Sequence, residues 1–189
     1  MMGRLIGSLG IVVAGAALLA AGDARAGAVT VIGGGLAQAC SRAAMAGQSE
    51  VKFQNLCSTA LETELLDPRD RAGTYVNRGV MKLRKMAYAD ATRDFDRAAK
   101  IRPNLGEAYV NRGAASIGDH RFADSLPDLN KGLELGIEEP AKAYYNRALA
   151  YEGLDDMKAA YFDYQKAVEL SPEWAAPKEQ LTRFTVLRR

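Results

Sequence analysis

The sequence predicts an all-α solenoid of helical hairpins closed by a C-terminal capping helix. Three observations carry that reading. The segments AGTYVNRG at 72–79, GEAYVNRG at 106–113 and AKAYYNRA at 141–148 repeat one another, and Asn77, Asn111 and Asn146 mark their register. Those asparagines are 34 and 35 residues apart, the period of a two-helix unit. Each unit also ends on a proline, Pro103, Pro140 or Pro172, where a helix has to stop.

Composition limits the function classes. Lys and Arg number 25 against 23 Asp and Glu. That balance argues against nucleic acid as a partner, which would need a dominant basic stripe. The apolar fraction of 48% suits a folded chain.

Residues 1–26 read as a signal peptide. Arg4 precedes an uncharged run from Leu5 to Ala21, and Ala24-Arg25-Ala26 supplies small residues where a signal peptidase reads them. Cleavage after Ala26 predicts a mature chain starting at Gly27, with no membrane association afterwards. The alternative is an uncleaved anchor, since the apolar run is at the lower limit for spanning a bilayer. The expected location is the periplasm, with full secretion as the alternative.

Residues 27–35 form an extended or disordered leader. Residues 36–70 make a divergent first hairpin, turning at GQSE, 47–50, and ended by Pro68. Cys40 and Cys57 are equidistant from the centre of that turn. In an antiparallel hairpin such residues lie side by side, so an exported chain is expected to join them in a disulfide.

Residues 71–174 hold three full repeats. In the first, Ala91, Phe95 and Ala98 place small residues around one aromatic; in the third, Ala160, Tyr164 and Ala167 do the same. The second has Ser125, Leu129 and Gly132 instead, with Pro127 near the start of its second helix, where a missing N–H does little harm if it lies in the first turn, and reads as looser. Residues 175–189 form the cap: Leu181, Phe184 and Leu187 fall at helical spacing.

Over about residues 72–174 this pattern resembles the tetratricopeptide repeat family. The resemblance implies a protein-binding scaffold rather than an enzyme, with no cofactor and with the first helix of each repeat lining a concave groove. Asn77, Asn111 and Asn146 fall where superhelical members carry an asparagine ladder that grips the main chain of an extended peptide. A primary amide both donates and accepts, which suits it to that contact. The competing reading is that these asparagines only cap or bond neighbouring repeats. Val76, Val110 and Tyr145, each preceding an Asn, and Val80 and Leu149, three residues beyond, would line the groove beside the ladder. The acidic-tail clamp of the family uses lysines at groove positions that are apolar here.

Each Arg after the Asn is followed sixteen residues later by Asp: Arg78 and Asp94, Arg112 and Asp128, Arg147 and Asp163. Across a tight hairpin that spacing sets the two side chains opposite one another. A structural ion pair is the favoured reading, replacing the apolar packing usual at that place in the family.

No catalytic constellation is visible. His120 is the single histidine, and it falls in a turn. The run VTVIGGGLAQ at 29–38 starts like a dinucleotide-binding loop, but Gln38 replaces its third glycine and no second strand follows. No metal-type His/Cys spacing is present. The sequence therefore predicts a scaffold or adaptor that holds a protein or peptide partner. The alternative is a structural module that self-assembles without a peptide ligand. Neither the partner's identity nor the oligomeric state is fixed at this stage.

Overall fold

The computed structural model describes residues 9–13, 25–32 and 35–188. Most of residues 1–26, the segment expected to be a signal peptide, lies outside these residues; its strand β1, Leu9–Val13, and Arg25-Ala26 lie within them.

The chain is an all-α solenoid. Helices α1 (Gly35–Met45) and α2 (Val51–Thr63) form the first hairpin. Helices α3 (Pro68–Arg84) and α4 (Tyr88–Ile101), α5 (Gly106–Gly118) and α6 (Phe122–Leu135), and α7 (Pro140–Gly153) and α8 (Met157–Leu170) form three more. Helix α9 (Ala175–Leu181) covers the last of them.

Local chemistry sets these boundaries. Pro68 opens α3, and the Asp67 carboxylate accepts from the Asp70 N–H at 2.8 Å, satisfying a donor that the first helical turn leaves free. Asp156 caps α8 in the same way through the Ala159 N–H at 3.0 Å. The tight turns inside the three repeats share one device. Met86, His120 and Asp155 each adopt a positive φ, at 58°, 57° and 61°. The residue after each donates back five places, Ala87 to Lys82, Arg121 to Ser116 and Asp156 to Tyr151. This is the Schellman closure, here built without glycine.

The core is a line of small residues with larger side chains set among them. Phe95, Leu129 and Tyr164 are buried between the helices of their hairpins. Gly79 admits the Phe95 ring, because a Cβ there would come within 2.5 Å of it. Gly113 does the same for Leu129, and Gly132 makes room for Val110. The second hairpin closes around its smaller side chains by these two contacts, with Ser125, Leu129 and Gly132 all buried.

Two expectations need correction. Pro127 is the sixth residue of α6, not part of its first turn. Its missing N–H therefore removes the bond that Ala123 would accept, yet the helix continues to Leu135. The cap is helical only to Leu181, and Phe184–Arg188 form strand β2. β2 pairs antiparallel with β1, Leu9 opposite Arg188 and Val13 opposite Phe184. The apolar spacing at 181, 184 and 187 suits a helix, but a partner strand satisfies the backbone equally well. Arg183 at the bend is held by the buried Glu152 carboxylate.

Candidate functional site

The ladder positions lie on three successive first helices. Asn77, Asn111 and Asn146 occupy equivalent places on α3, α5 and α7 and are no more than 1% exposed. A buried primary amide must find partners for both its donor and its acceptor. Here the partner is the chain's own N-terminal segment, residues 25–32, the end of the expected signal segment together with the leader, which lies extended across the concave face.

Each amide makes the same pair of bonds to one residue's main chain. The Asn146 Oδ1 accepts from the Arg25 N–H at 2.7 Å, and its Nδ2 donates to the Arg25 carbonyl at 2.7 Å. Asn111 holds Gly27 at 3.0 and 2.8 Å, and Asn77 holds Val29 at 2.7 and 2.8 Å. The gripped residues are 25, 27 and 29, so the leader advances two residues per repeat and runs opposite to the repeat order. Period two fits because alternate residues of a strand turn the same backbone edge to one side.

The first two hairpins complete the clasp. The Ser41 hydroxyl accepts from the Val31 N–H at 3.2 Å and donates to the Val29 carbonyl at 2.9 Å. The Ile32 N–H donates to the buried Asp70 carboxylate at 3.3 Å. Beyond the leader, the Glu64 carboxylate accepts from the Leu36 and Ala37 N–H groups at 2.5 and 3.0 Å. A carboxylate at a helix N-terminus satisfies free donors and complements the dipole. Gly35, at φ 75°, leaves room for it, since a Cβ would collide with Glu64.

Side-chain packing adds little selectivity. Val29 and Val31 approach Gly73, whose Cβ would meet Val31 at 3.1 Å. Ala26 packs against the core of the first full repeat and Ala28 against that of the disulfide-geometry hairpin. A cavity under Gly27 and Ala28 is bordered by Glu107, Val110, Asn111 and Lys142.

The apolar residues expected to line the groove are almost fully buried. Val76 and Val80 belong to the core of the first full repeat, and Val110, Tyr145 and Leu149 to that of the next two. Val110 packs onto Gly132 of α6 while its outer edge borders the cavity under Gly27. Their burial is that of the chain with residues 25–32 lying over this face.

The three Arg–Asp pairs are two-pronged. Arg78 donates to Asp94 at 2.9 and 2.7 Å, Arg112 to Asp128 at 2.8 and 2.6 Å, and Arg147 to Asp163 at 2.7 and 2.9 Å. Each guanidinium also reaches back to the preceding hairpin: to Ser58 at 2.9 Å, Asp96 at 2.7 Å and Asn130 at 2.6 Å. One Arg therefore links three helices. The hydrogen bond to Asp128 raises the Arg112 pKa, with Asp96 adding to it against burial; the bond to Asp163 does the same for Arg147. For Arg78, burial works against the charge, and the Asp94 bond and charge outweigh it. These charges brace the scaffold across and between its hairpins.

Cys40 and Cys57 face each other in disulfide geometry, with Cα atoms 5.0 Å apart. His120 holds the positive-φ turn position and stacks edge-on against Phe122. Among the described residues, no group of three His, Cys, Asp or Glu side chains is placed to hold a metal ion. None of the described helices is long and apolar enough to cross a membrane.

Ser41, Asp70 and Glu64 are the site residues that sequence reasoning missed. Asp70 is seven residues before Asn77, two helical turns along the same face, and that offset is the one signal that could have found it.

Comparison with known proteins agrees with this architecture. Residues 141–173 match the family model of the tetratricopeptide repeat. Among solved structures, the chain is similar to MamA 41-end from Desulfovibrio magneticus RS-1, with 26% identity, 78% of this chain and 82% of that one covered, and a TM-score of 0.62. The first TPR domain of the human RPAP3 protein is 23% identical over 61% of this chain and 90% of its own, with a TM-score of 0.57. The Arabidopsis OM64 TPR domain is 23% identical over 62% and 96%, with a TM-score of 0.58. No curated protein matches the chain in sequence.

Proposed function

We propose that this chain, a tetratricopeptide repeat protein, is an exported scaffold that holds an extended segment of a partner polypeptide on its concave face. The carrying observation is the ladder itself. Asn77, Asn111 and Asn146 each make two bonds to the main chain of alternate residues in one extended segment. Main-chain recognition of this kind needs no particular side chain, so a groove that accepts its own leader is chemically suited to another strand. Binding is the whole activity in this reading, with no catalytic step.

Export supports the reading in two ways. The uncharged run and the Ala24-Arg25-Ala26 site address the chain across a membrane, and a Cys40–Cys57 bond would persist in an oxidising compartment such as the periplasm. Affinity capture from that compartment, using wild type and the chain with all three asparagines changed to alanine, tests the proposal. The expected outcome is a partner retained by wild type and lost from the triple variant, whose helical content is unchanged by circular dichroism. Equal capture by both would place the partner elsewhere on the surface. The triple variant should also melt lower, because these amides are buried against the leader.

A further inference from the structure

We infer that removal of residues 1–26 vacates one rung of the ladder, Asn146, and that this rung is a docking site for the carboxyl terminus of an extended polypeptide. The inference rests on the export reading above and names the class of ligand for the same groove.

The register decides which rungs are lost. Asn146 is fully buried, and its two bonds go to Arg25 N–H and Arg25 C=O. Cleavage after Ala26 takes Arg25 away. It leaves Gly27 on Asn111, Val29 on Asn77, Val31 on Ser41 and Ile32 on Asp70. The mature leader therefore remains as a resident strand on two rungs. The third keeps a shaped amide that has lost both its partners and the segment that covered it, so its donor and acceptor are open to another main chain.

The resident strand also fixes what can fill the gap. An incoming strand in the leader's direction would place one residue at the Arg25 position and one at the Ala26 position. The next place is already taken by Gly27, so the incoming chain has to end there. Its terminal carboxylate would then lie against the new α-ammonium of Gly27, a pairing of opposite charges that exists only after cleavage. The last side chain has to be small, because Ala26 packs against the core of the first full repeat. A cavity of about 310 Å³ lies at the N-terminal end of the same helix, α7, and is bordered by Glu139, Pro140, Lys142, Leu170 and Trp174. It has room for one larger side chain further upstream. The ligand is thus a polypeptide tail ending in a small residue, recognised by its main chain and its carboxylate.

The test uses an N-acetylated hexapeptide of the sequence 21–26, AGDARA, with a free carboxyl end. The receptor is the mature chain beginning at Gly27, which keeps every helix. Trp174 is the single tryptophan and stacks on Tyr145 at 4.9 Å beside the rung, so its fluorescence reports occupancy. The expected result is saturable binding that weakens at least tenfold when the peptide carries a C-terminal amide, and at least tenfold in Asn146→Ala. A chain beginning at Asp23, where Arg25 and Ala26 fill the rung covalently, should not bind. Asn146→Ala should also lower the melting temperature of that longer chain and leave the mature chain unchanged or more stable.

Equal binding to both chain lengths would overturn the inference, and so would no saturation on a mature chain with native helical content. Either result leaves the groove reading standing if captured partners still depend on the three asparagines. Recovery of the native protein with Met1 retained would remove the export premise, and the vacated rung with it.

Discussion

The first hairpin and the three that follow solve the same problem with different chemistry. In α1–α2, Cys40 and Cys57 face each other across the turn. In the later hairpins an Arg and an Asp, sixteen residues apart, occupy the corresponding places on either side of Met86, His120 and Asp155. Their cores differ accordingly. The buried residues of α1 are Ala37, Cys40, Ser41, Ala43 and Ala44, whereas the later hairpins bury Phe95, Leu129 and Tyr164. Large side chains remove more surface from water, at about 25 cal/mol per Å². Where they are present, a charge pair that fixes the approach of two helices is sufficient. Where the core is alanine and serine, a covalent link can supply stability through the unfolded chain.

The largest effect should come from Asp94. It is completely buried and receives Arg78, Lys82 and Arg97. Asp94→Ala leaves at least two of these cations partly buried without a counter-charge and should cost about 3–5 kcal/mol in chemical denaturation. Asp128 is the control within the same comparison. Its side chain is 15% exposed, and Arg112 retains Asp96 when it is removed. Asp128→Ala should cost about 1 kcal/mol. Equal losses would show that burial of the acid is not what separates the repeats. Replacing Arg78 together with Asp94 by apolar residues should recover only part of the loss, because Lys82 remains.

The covalent hairpin comes next. A bond between Cys40 and Cys57 closes a loop of sequence separation 17 and should contribute about 3 kcal/mol. Changing both to serine, compared with the oxidised wild type in the same denaturant series, measures it. A thiol assay on native protein showing two free cysteines would end the comparison, since the first hairpin would then stand on non-covalent packing alone.

The smallest effect concerns the turns. His120 sits at φ 57°, a region that costs a residue with a Cβ about 1 kcal/mol. His120→Gly should therefore stabilise by about that amount, raising the melting temperature by about 2–4 °C. A decrease would mean that the edge contact with Phe122 outweighs the backbone strain.

Much of this was legible in the sequence because it is periodic or symmetric. The 34- and 35-residue spacings set the repeat register, and a fixed offset of sixteen connects each Arg to its Asp. Both depend on residues close along the chain, where helical geometry makes the relation predictable. The second repeat reads as loose because Leu129 and Gly132 are small. What the sequence hides is that Gly113 and Val110 close the space. Likewise, the apolar residues flanking the ladder read as groove wall. Their burial follows only once the second helices are packed behind them and residues 25–32 lie over them.

By itself, then, the sequence determined the repeats, the ladder positions and the facing pairs, because each is a local pattern repeated in register. Tertiary structure alone decided what the ladder holds. The bonds from Asn77, Asn111 and Asn146 reach residues 48, 84 and 121 positions away, and an extended segment carries no periodic mark of its destination. It decided the end of the chain as well. Phe184 and Leu187 fit a helix by spacing, but while residues 1–26 are attached, five backbone partners on β1 draw Phe184–Arg188 into a strand. Backbone groups accept either arrangement, and the nearest satisfied partner settles which one forms.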